Sequence, residues 1–321
     1  MVKWNGVGER VEREEMSSGG MGTVGRTLGV LADTWTLLIL QRAFLGVRRY
    51  AGWRETLNIS DATLTARLRS LTEDGLLQTR PYREGGRPRL EYRLTERGLD
   101  TWRLLLATWA WERSWVPREV PLPDIVHREC GRATDVVLCC AQCGAPVGPQ
   151  DTSVSIRGAV AGRGGLARVH PRRTRGRLPE DPLSLLPGSM EIIGDRWGAT
   201  VLGACLVGVR TFTDFEAQLS ISPEVLTDRL RRFVELGIVV RTGDAGYRLT
   251  DKGRAAFGIH ACLVEWANRW QAADGAPVDL EIRHRACDHP LRLQLNCSGC
   301  GVAFTRTAVA PPSAPSRAVA P

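Results

Sequence analysis

The stretch LTARLRSLTEDGLL, residues 64–77, is written again as LTDRLRRFVELGIV at 226–239. A repeat at a fixed offset requires two units of one architecture, which constrains the fold more than any single motif does. Leu64, Leu68 and Leu71 answer Leu226, Leu230 and Phe233, each pair 162 positions apart, and Trp35 answers Trp197 at the same offset. The matched positions are apolar and spaced i, i+4, i+7, the buried stripe of an amphipathic helix. Most of the differences fall where side chains would face outward.

Each copy carries the same punctuation. RTLGVLADTWTLLILQRAFLG opens copy one and SMEIIGDRWGATVLGACLVG opens copy two. In the first, Leu28, Leu31, Trp35, Leu38 and Ile39 follow a helical period, with a stop at Gly46. A short amphipathic segment comes next, YAGWRETLNIS or FTDFEAQLSIS. The repeated helix then begins at Ser60–Asp61 or Ser222–Pro223. A serine hydroxyl accepts an orphan backbone N–H there, and proline at the first helical position gives up no bond. Gly75 and Gly237 end it. The period now changes to two. Leu76–Tyr82 and Arg89–Leu94 alternate about Gly85–Gly86, and Ile238–Arg241 and Tyr247–Leu249 do so about a shorter turn. LTERG and LTDKG lead into a last helix bearing Trp102, Trp109, Trp111 and Trp115 in copy one, and Trp266 and Trp270 in copy two. Tryptophans spaced i, i+4 fit a helix packed on its own domain or on its sister; an aromatic ligand pocket between the halves is the rival reading. Helix, short helix, turn, helix, β-hairpin, helix is the order of a winged helix-turn-helix.

A second duplicated feature follows each last helix. His127-x2-Cys130 and Cys140-x2-Cys143 recur as His284-x2-Cys287 and Cys297-x2-Cys300, all shifted by 157. Short x2 knuckles bring two ligands to one ion, and the segments DVVLC and LRLQLNC between them alternate like hairpin strands. This is zinc-ribbon spacing with Cys3His chemistry. Each copy is expected to carry its own structural zinc, two per chain; a metal-free hairpin with buried or redox-active thiols is the alternative. Cys139 competes with Cys140 as a ligand, but register with Cys297 favours Cys140, and His289 is spare. Cys205 and Cys262 sit on apolar helical segments and read as core.

LADTWTLLIL and IGDRWGATVL, the IS…LTARLRSLTEDGLL helix with Y…RPRLEYRLTERG, and the closing tryptophan helix resemble the HxlR-type winged-helix regulators, a bacterial transcription-factor family. The resemblance covers roughly 26–115 and 185–271. It implies sequence-specific binding of double-stranded DNA. Such regulators usually work as homodimers of single-domain chains on a pseudo-palindromic operator. Two copies in one chain then imply an intramolecular pseudo-dimer, which could pair again as a homodimer; a small-molecule effector is possible, and the sequence names none. A recognition helix places outward residues in the major groove. In copy one these are Ser60, Asp61, Thr63, Thr65, Arg67 and Arg69; in copy two, Glu224, Val225, Thr227, Asp228, Arg229, Arg231 and Arg232. Arginine pairs with guanine O6/N7, and threonine hydroxyls hold phosphates. Arg83, Arg87 and Arg89 on the first wing suit phosphate or minor-groove contact. The second wing, TGDAG, offers no cation, so copy one is expected to contribute more.

Bulk properties agree. The 321 residues carry a net charge of +8, almost all of the positive charge being arginine. A basic excess suits a polyanionic partner, although GC-rich coding also favours arginine over lysine. No apolar run approaches the roughly 20 residues that cross a bilayer, and no secretory core is visible, so a soluble, cytoplasmic chain without a membrane partner is expected. Nine cysteines in that setting argue against a disulfide framework. No catalytic triad, phosphate loop or paired-carboxylate motif suggests an enzyme. The main rival function is a protein-interaction module in which DNA binding is reduced or lost. The expected fold is mainly α with small β-hairpins: two winged helix-turn-helix domains (21–120 and 182–275), each followed by a Cys/His zinc-ribbon-like hairpin (121–147 and 276–306). Residues 1–20 and 307–321 are expected to be disordered, and 148–181 to form a flexible basic linker.

Overall fold

The structure, a computed structural model, describes residues 2–4, 22–84, 87–157, 187–243 and 246–310; the side chains of 2–4, 84, 87, 309 and 310 lie outside that description. No helix among the described residues is long and apolar enough to cross a membrane.

Copy one runs α1 (Thr23–Leu31), α2 (Thr34–Phe44), α3 (Tyr50–Leu57), α4 (Asp61–Glu73), the hairpin β2 (Leu77–Glu84) and β3 (Arg87–Leu94), a turn of helix α5 (Glu96–Leu99) and α6 (Trp102–Trp115). A three-residue β1 (Val2–Trp4) precedes it. Copy two repeats the order as α7 (Pro187–Ile193), α8 (Arg196–Leu206), α9 (Phe212–Leu219), α10 (Pro223–Glu235), β8 (Val239–Thr242), β9 (Gly246–Leu249), α11 (Asp251–Ala255) and α12 (Phe257–Ala273). The caps are those expected: Ser60 Oγ accepts from Thr63 N and Ser222 Oγ from Val225 N, and Gly75 and Gly237 close their helices at φ +71° and +66°. Leu64, Leu68 and Leu71 are buried, as are Leu226, Leu230 and Phe233.

One expectation fails. The period through Leu28–Ile39 is not a single helix. It breaks between α1 and α2, where the carboxylate of Asp33 accepts the N–H of Thr36 and restarts the helix. Asp195 does the same before α8. Periodicity cannot see such a break, because the apolar face continues across it.

Gly98 and Gly253, in the matched LTERG and LTDKG, are required by close approach. A Cβ added at Gly98 would lie 2.1 Å from the Leu76 carbonyl oxygen, and one at Gly253 2.2 Å from that of Ile238. Gly98→Ala is expected to cost about 1–3 kcal/mol in urea unfolding, the usual penalty of forced overpacking; a neutral result would mean that the helix-to-strand contact is looser than this.

The two copies pack against each other through equivalent elements. Equivalent residues Asp33 and Asp195 form an antiparallel bridge. Each opening helix packs on the other copy's closing helix, α1 on α12 and α7 on α6, and α6 meets α12. Trp111, Trp266 and Trp270 reach across this interface. Trp111 Nε1 donates to the Lys252 carbonyl at 3.0 Å, and Trp266 Nε1 to that of Arg97 at 3.1 Å. Lys252 Nζ and the Arg97 guanidinium lie over the same two rings, at 5.5 and 5.2 Å. Ion pairs Arg97–Asp274, Arg103–Glu265 and Arg269–Asp100 cross the interface as well. Two buried carboxylates cap the opening helices across it. Glu112 accepts from Gly188 N, Ser189 N and Ser189 Oγ, and Asp279 accepts from Val24 N and Thr23 Oγ1. A space lined by Leu37, Leu105, Met190 and their neighbours on α2, α6 and α7 encloses only about 10 Å³, about one water's worth of room.

The Cys/His hairpins are exchanged between copies. Copy one supplies β4 (Ile125–His127), β5 (Arg132–Thr134), β6 (Val136–Cys140) and β7 (Thr152–Ile156); copy two supplies β10 (Leu280–His284), β11 (His289–Pro290), β12 (Leu293–Cys297) and β13 (Val309–Ala310). β6 pairs with β12 in antiparallel register about Leu138 and Leu295, which are themselves equivalent. β7 pairs with β10, and β13 pairs with β4. Three boundaries change in consequence, one of them in the expected tail, where Val309–Ala310 form β13. Residues 149–156, assigned from sequence to the linker, form a 3-10 turn and β7, and β1 in the N-terminal segment pairs with β7. Residues 158–181 of the expected linker, the rest of segment 1–20 and residues 311–321 of the tail lie outside the described residues. Periodicity could not place β7, because its partner strand is more than a hundred residues away.

Candidate nucleic-acid interface and metal clusters

Helix α4 offers an open face. Ser60, Asp61, Thr65 and Arg69 are exposed, and Arg69 reaches only Glu73, at 2.7 Å one turn on. Tyr50 Oη on α3 bonds Asp61 and lies 3.3 Å from Thr65 Oγ1, fixing the helix start. Thr63 is half-buried and shares a 2.8 Å hydrogen bond with Ser60 Oγ. On α10, Glu224, Thr227 and Arg231 are exposed, and Arg231 is held between Asp228 and Glu235.

Three of the expected DNA contacts are turned inward. Arg67 bonds Asp33 Oδ2 at 2.8 Å. Its counterpart Arg229 lies 3.0 Å from Asp195, and Arg232 binds Glu191 and Asp228. The acids Asp33 and Asp195 cap α2 and α8 with one oxygen and take an arginine with the other. Sequence reasoning put these arginines outside because the helical wheel leaves them off the Leu/Phe stripe; a long side chain at the edge of that stripe can still fold back onto a half-buried acid. Arg67→Ala is therefore expected to lower stability by up to about 1 kcal/mol, as a partly exposed pair does, while leaving base preference unchanged in a binding-site selection. A changed preference would return Arg67 to the reading set.

The first wing is basic. Arg80, Arg83 and Arg89 are exposed on β2 and β3, whereas the Arg87 side chain lies outside the described residues. Arg48 and Arg49 at the start of α3 extend this surface, since the Arg48 carbonyl takes the Tyr92 N–H of β3 and Arg49 stacks on Tyr82 at 4.6 Å. The sequence reading passed over this Arg-Arg pair; its signal was two cations directly before a helix that leads into the recognition turn. Copy two has Arg210–Thr211 at the equivalent place.

The cysteines and histidines form two four-ligand groups, but not the expected ones. His127, Cys130, Cys297 and Cys300 make one, and Cys140, Cys143, His284 and Cys287 the other, the ligand atoms of each all lying within 4.8 Å of one another. Each group takes one x2 knuckle from each copy, which corrects the expectation of one closed site per hairpin. The cause is the strand exchange: β6 pairs with β12, which carries the knuckle at the end of each strand to the far copy's turn. Within the groups, Cys130 and Cys297 sulfurs are 3.8 Å apart, Cys140 and Cys287 3.9 Å, and the histidine Nδ1 atoms lie 3.3 and 3.4 Å from Cys300 and Cys143. These are not disulfide lengths, and all nine cysteines are free thiols. A tetrahedral ion with metal–sulfur bonds of about 2.3 Å has sulfur–sulfur edges of about 3.8 Å, so the donor set fits. Burial opposes ionisation of Cys297, but the Thr134 hydroxyl and the N–H groups of Gly299 and Cys300 outweigh it and bring its pKa down to about 6. Backbone N–H groups of Gln142 and Cys143 likewise lower Cys140 against the effect of burial. Thiolate is the form a metal takes. Cys139 and His289 stand outside both groups. Cys205 and Cys262 are buried in helices, and burial pushes Cys205 up to about 12, so they are inert core thiols as expected.

The family comparison agrees with the duplicated helix-turn-helix. A family profile described as HxlR-like helix-turn-helix matches residues 30–120 and 192–274, more than half of the chain. A Mycobacterium tuberculosis protein named an uncharacterized HTH-type transcriptional regulator is 42% identical over 123 residues, 38% of this chain and 77% of that protein. A Bacillus subtilis protein named YvaP, also an HTH-type transcriptional regulator, is 33% identical over 89 residues, 26% of this chain and 82% of its own length. Among solved structures, PA1607 aligns at 31% identity and a TM-score of 0.35, covering 38% of this chain and 85% of its own. With a family match in each copy, the chain belongs to the HxlR-like helix-turn-helix family and carries its domain twice.

Proposed function

We propose that this protein is a sequence-specific, double-stranded-DNA-binding transcriptional regulator that acts as a covalent pseudo-dimer. Helices α4 and α10 enter successive major grooves, and the first wing lies on the backbone or in the minor groove. The observation that carries this reading is the open, pseudo-symmetric pair of helix faces: Ser60, Thr65 and Arg69 on one, Thr227 and Arg231 on the other. In this reading Thr65 and Arg69 contact base edges, and Arg83 and Arg89 contact phosphates. Thr63 contributes through the Ser60 cap it supports. The halves are unequal. Copy one presents Arg48, Arg49, Arg80, Arg83 and Arg89 about its wing, whereas α10 surrounds Arg231 with Asp228 and Glu235. That acidic surround is the feature favouring the rival reading, a protein-interaction role for copy two.

Selection of binding sites from random duplexes tests the proposal. The wild-type chain is expected to enrich one motif with a stronger and a weaker half. Arg69→Ala or Thr65→Ala is expected to relax the stronger half by about 1–3 kcal/mol of discrimination per base pair no longer read, while Arg83→Ala with Arg89→Ala should weaken all sequences alike. No enrichment would favour the interaction role.

The two Cys3His groups are read as structural zinc sites, two per chain. Four protein ligands close each tetrahedron, leaving no position for a substrate, which is the arrangement of a structural rather than a catalytic zinc. Metal analysis of the purified chain is expected to give close to two zinc; a value near zero removes the reading.

A further inference from the structure

We infer that each metal ion joins one repeat to the other, so that the two ions, rather than the chain connection through 158–186, hold the two halves in fixed register. The inference rests on reading the groups as metal sites. Neither repeat owns a complete site. His127 ends β4 of copy one, with Cys130 just beyond, and Cys297 ends β12 of copy two, with Cys300 just beyond; Cys140 ends β6 before Cys143, and His284 ends β10 before Cys287. A lone repeat offers two half-sites, each lacking two ligands.

The strands that hold the ligands obey the same exchange. β6–β12, β7–β10 and β4–β13 each pair one copy with the other, and His284 and His127, the two imidazole ligands, sit in those ladders opposite Thr152 and Val309. Outer contacts cross as well. Thr134 of copy one bonds Cys297 Sγ and Ser298 Oγ of copy two, at 3.2 and 2.8 Å. The clasp bears directly on the helices, because a Cβ added at Gly258 on α12 would come 2.7 Å from the Leu138 side chain of β6. An ion that needs all four ligands therefore binds docked halves far better than separated ones. By linkage it tightens docking by the same factor that docking tightens the ion.

A protease site inserted between residues 170 and 175 tests this with every original residue retained. Once cut, the zinc-loaded protein is expected to run as one particle of full mass with close to two zinc. Stripping the zinc with a chelator is expected to weaken the association of the two fragments at least a hundredfold, and added zinc to restore it. Association equally tight without zinc overturns the inference. Paired variants test the grouping independently. Cys130→Ser with Cys300→Ser strikes one group and is expected to leave one zinc per chain, whereas Cys130→Ser with Cys143→Ser strikes both and is expected to leave no tightly bound zinc. Equal zinc in the two variants, or the reverse pattern, overturns the shared sites while zinc binding itself stands. A wild-type chain that holds no zinc overturns both readings together.

Discussion

Glu112→Ala is expected to destabilise the protein by about 3–5 kcal/mol, the usual cost of removing one side of a buried charged network. The Glu112 side chain is fully buried on α6, yet it serves the other copy. Its oxygens accept the N–H groups of Gly188 and Ser189 at 3.2 and 2.7 Å and the Ser189 hydroxyl at 2.6 Å, and Arg118 lies 3.6 Å away. The first turn of a helix has N–H groups without intrahelical acceptors, and a carboxylate there also meets the positive end of the helix dipole. Alanine would leave those donors buried and dry at the centre of the interface. Glu112→Gln keeps the shape and an acceptor oxygen, so it should lose less. Denaturant unfolding of the three proteins reads the difference; a loss below about 1 kcal/mol for alanine would mean that α7 is held by packing alone.

DNA affinity is expected to fall by about a thousandfold to a hundred-thousandfold between 50 and 200 mM salt, the range for proteins making 6–10 phosphate contacts. Six exposed arginines, Arg48, Arg49, Arg69, Arg80, Arg83 and Arg89, lie about α4 and the first wing. Each neutralised phosphate releases condensed counterions, so replacing Arg80 and Arg83 together by alanine should flatten the logarithmic salt slope by about 0.9 for each phosphate no longer neutralised. Replacing Arg241 and Arg248, the exposed arginines on the β8 and β9 strands of copy two, is expected to flatten it less. Equal effects would contradict the asymmetry of the two halves, and a salt-insensitive affinity would contradict phosphate contact altogether.

Much of this protein is legible in its sequence because local rules set it. Ser60, Ser222, Gly75 and Gly237 bound α4 and α10 by backbone chemistry that acts within a few residues, and the Leu64–Leu68–Leu71 stripe needs only helical geometry. What stayed hidden depends on distant partners. The break at Asp33 is visible only once Asp33 faces Asp195 and Arg67. Arg67, Arg229 and Arg232 lie outside the apolar stripe, but nothing local says that acids wait beside them. The ligand types and the x2 spacing of the metal groups were readable, since each knuckle is a local turn. Their grouping was not, because a duplicated pattern is satisfied equally by pairing within a copy and by pairing between copies. Sequence offers no preference between these; the β6–β12 ladder about Leu138 and Leu295 decides it.

Hydroxyl-radical footprinting on a selected duplex, with the complex mass measured in parallel, tests most directly the claim that one chain reads DNA with two helices. One chain per duplex is expected to protect two patches on one face, separated by whole helical turns of about 10 bp each. A single protected patch per chain, or two patches that appear only with two chains bound, would contradict it.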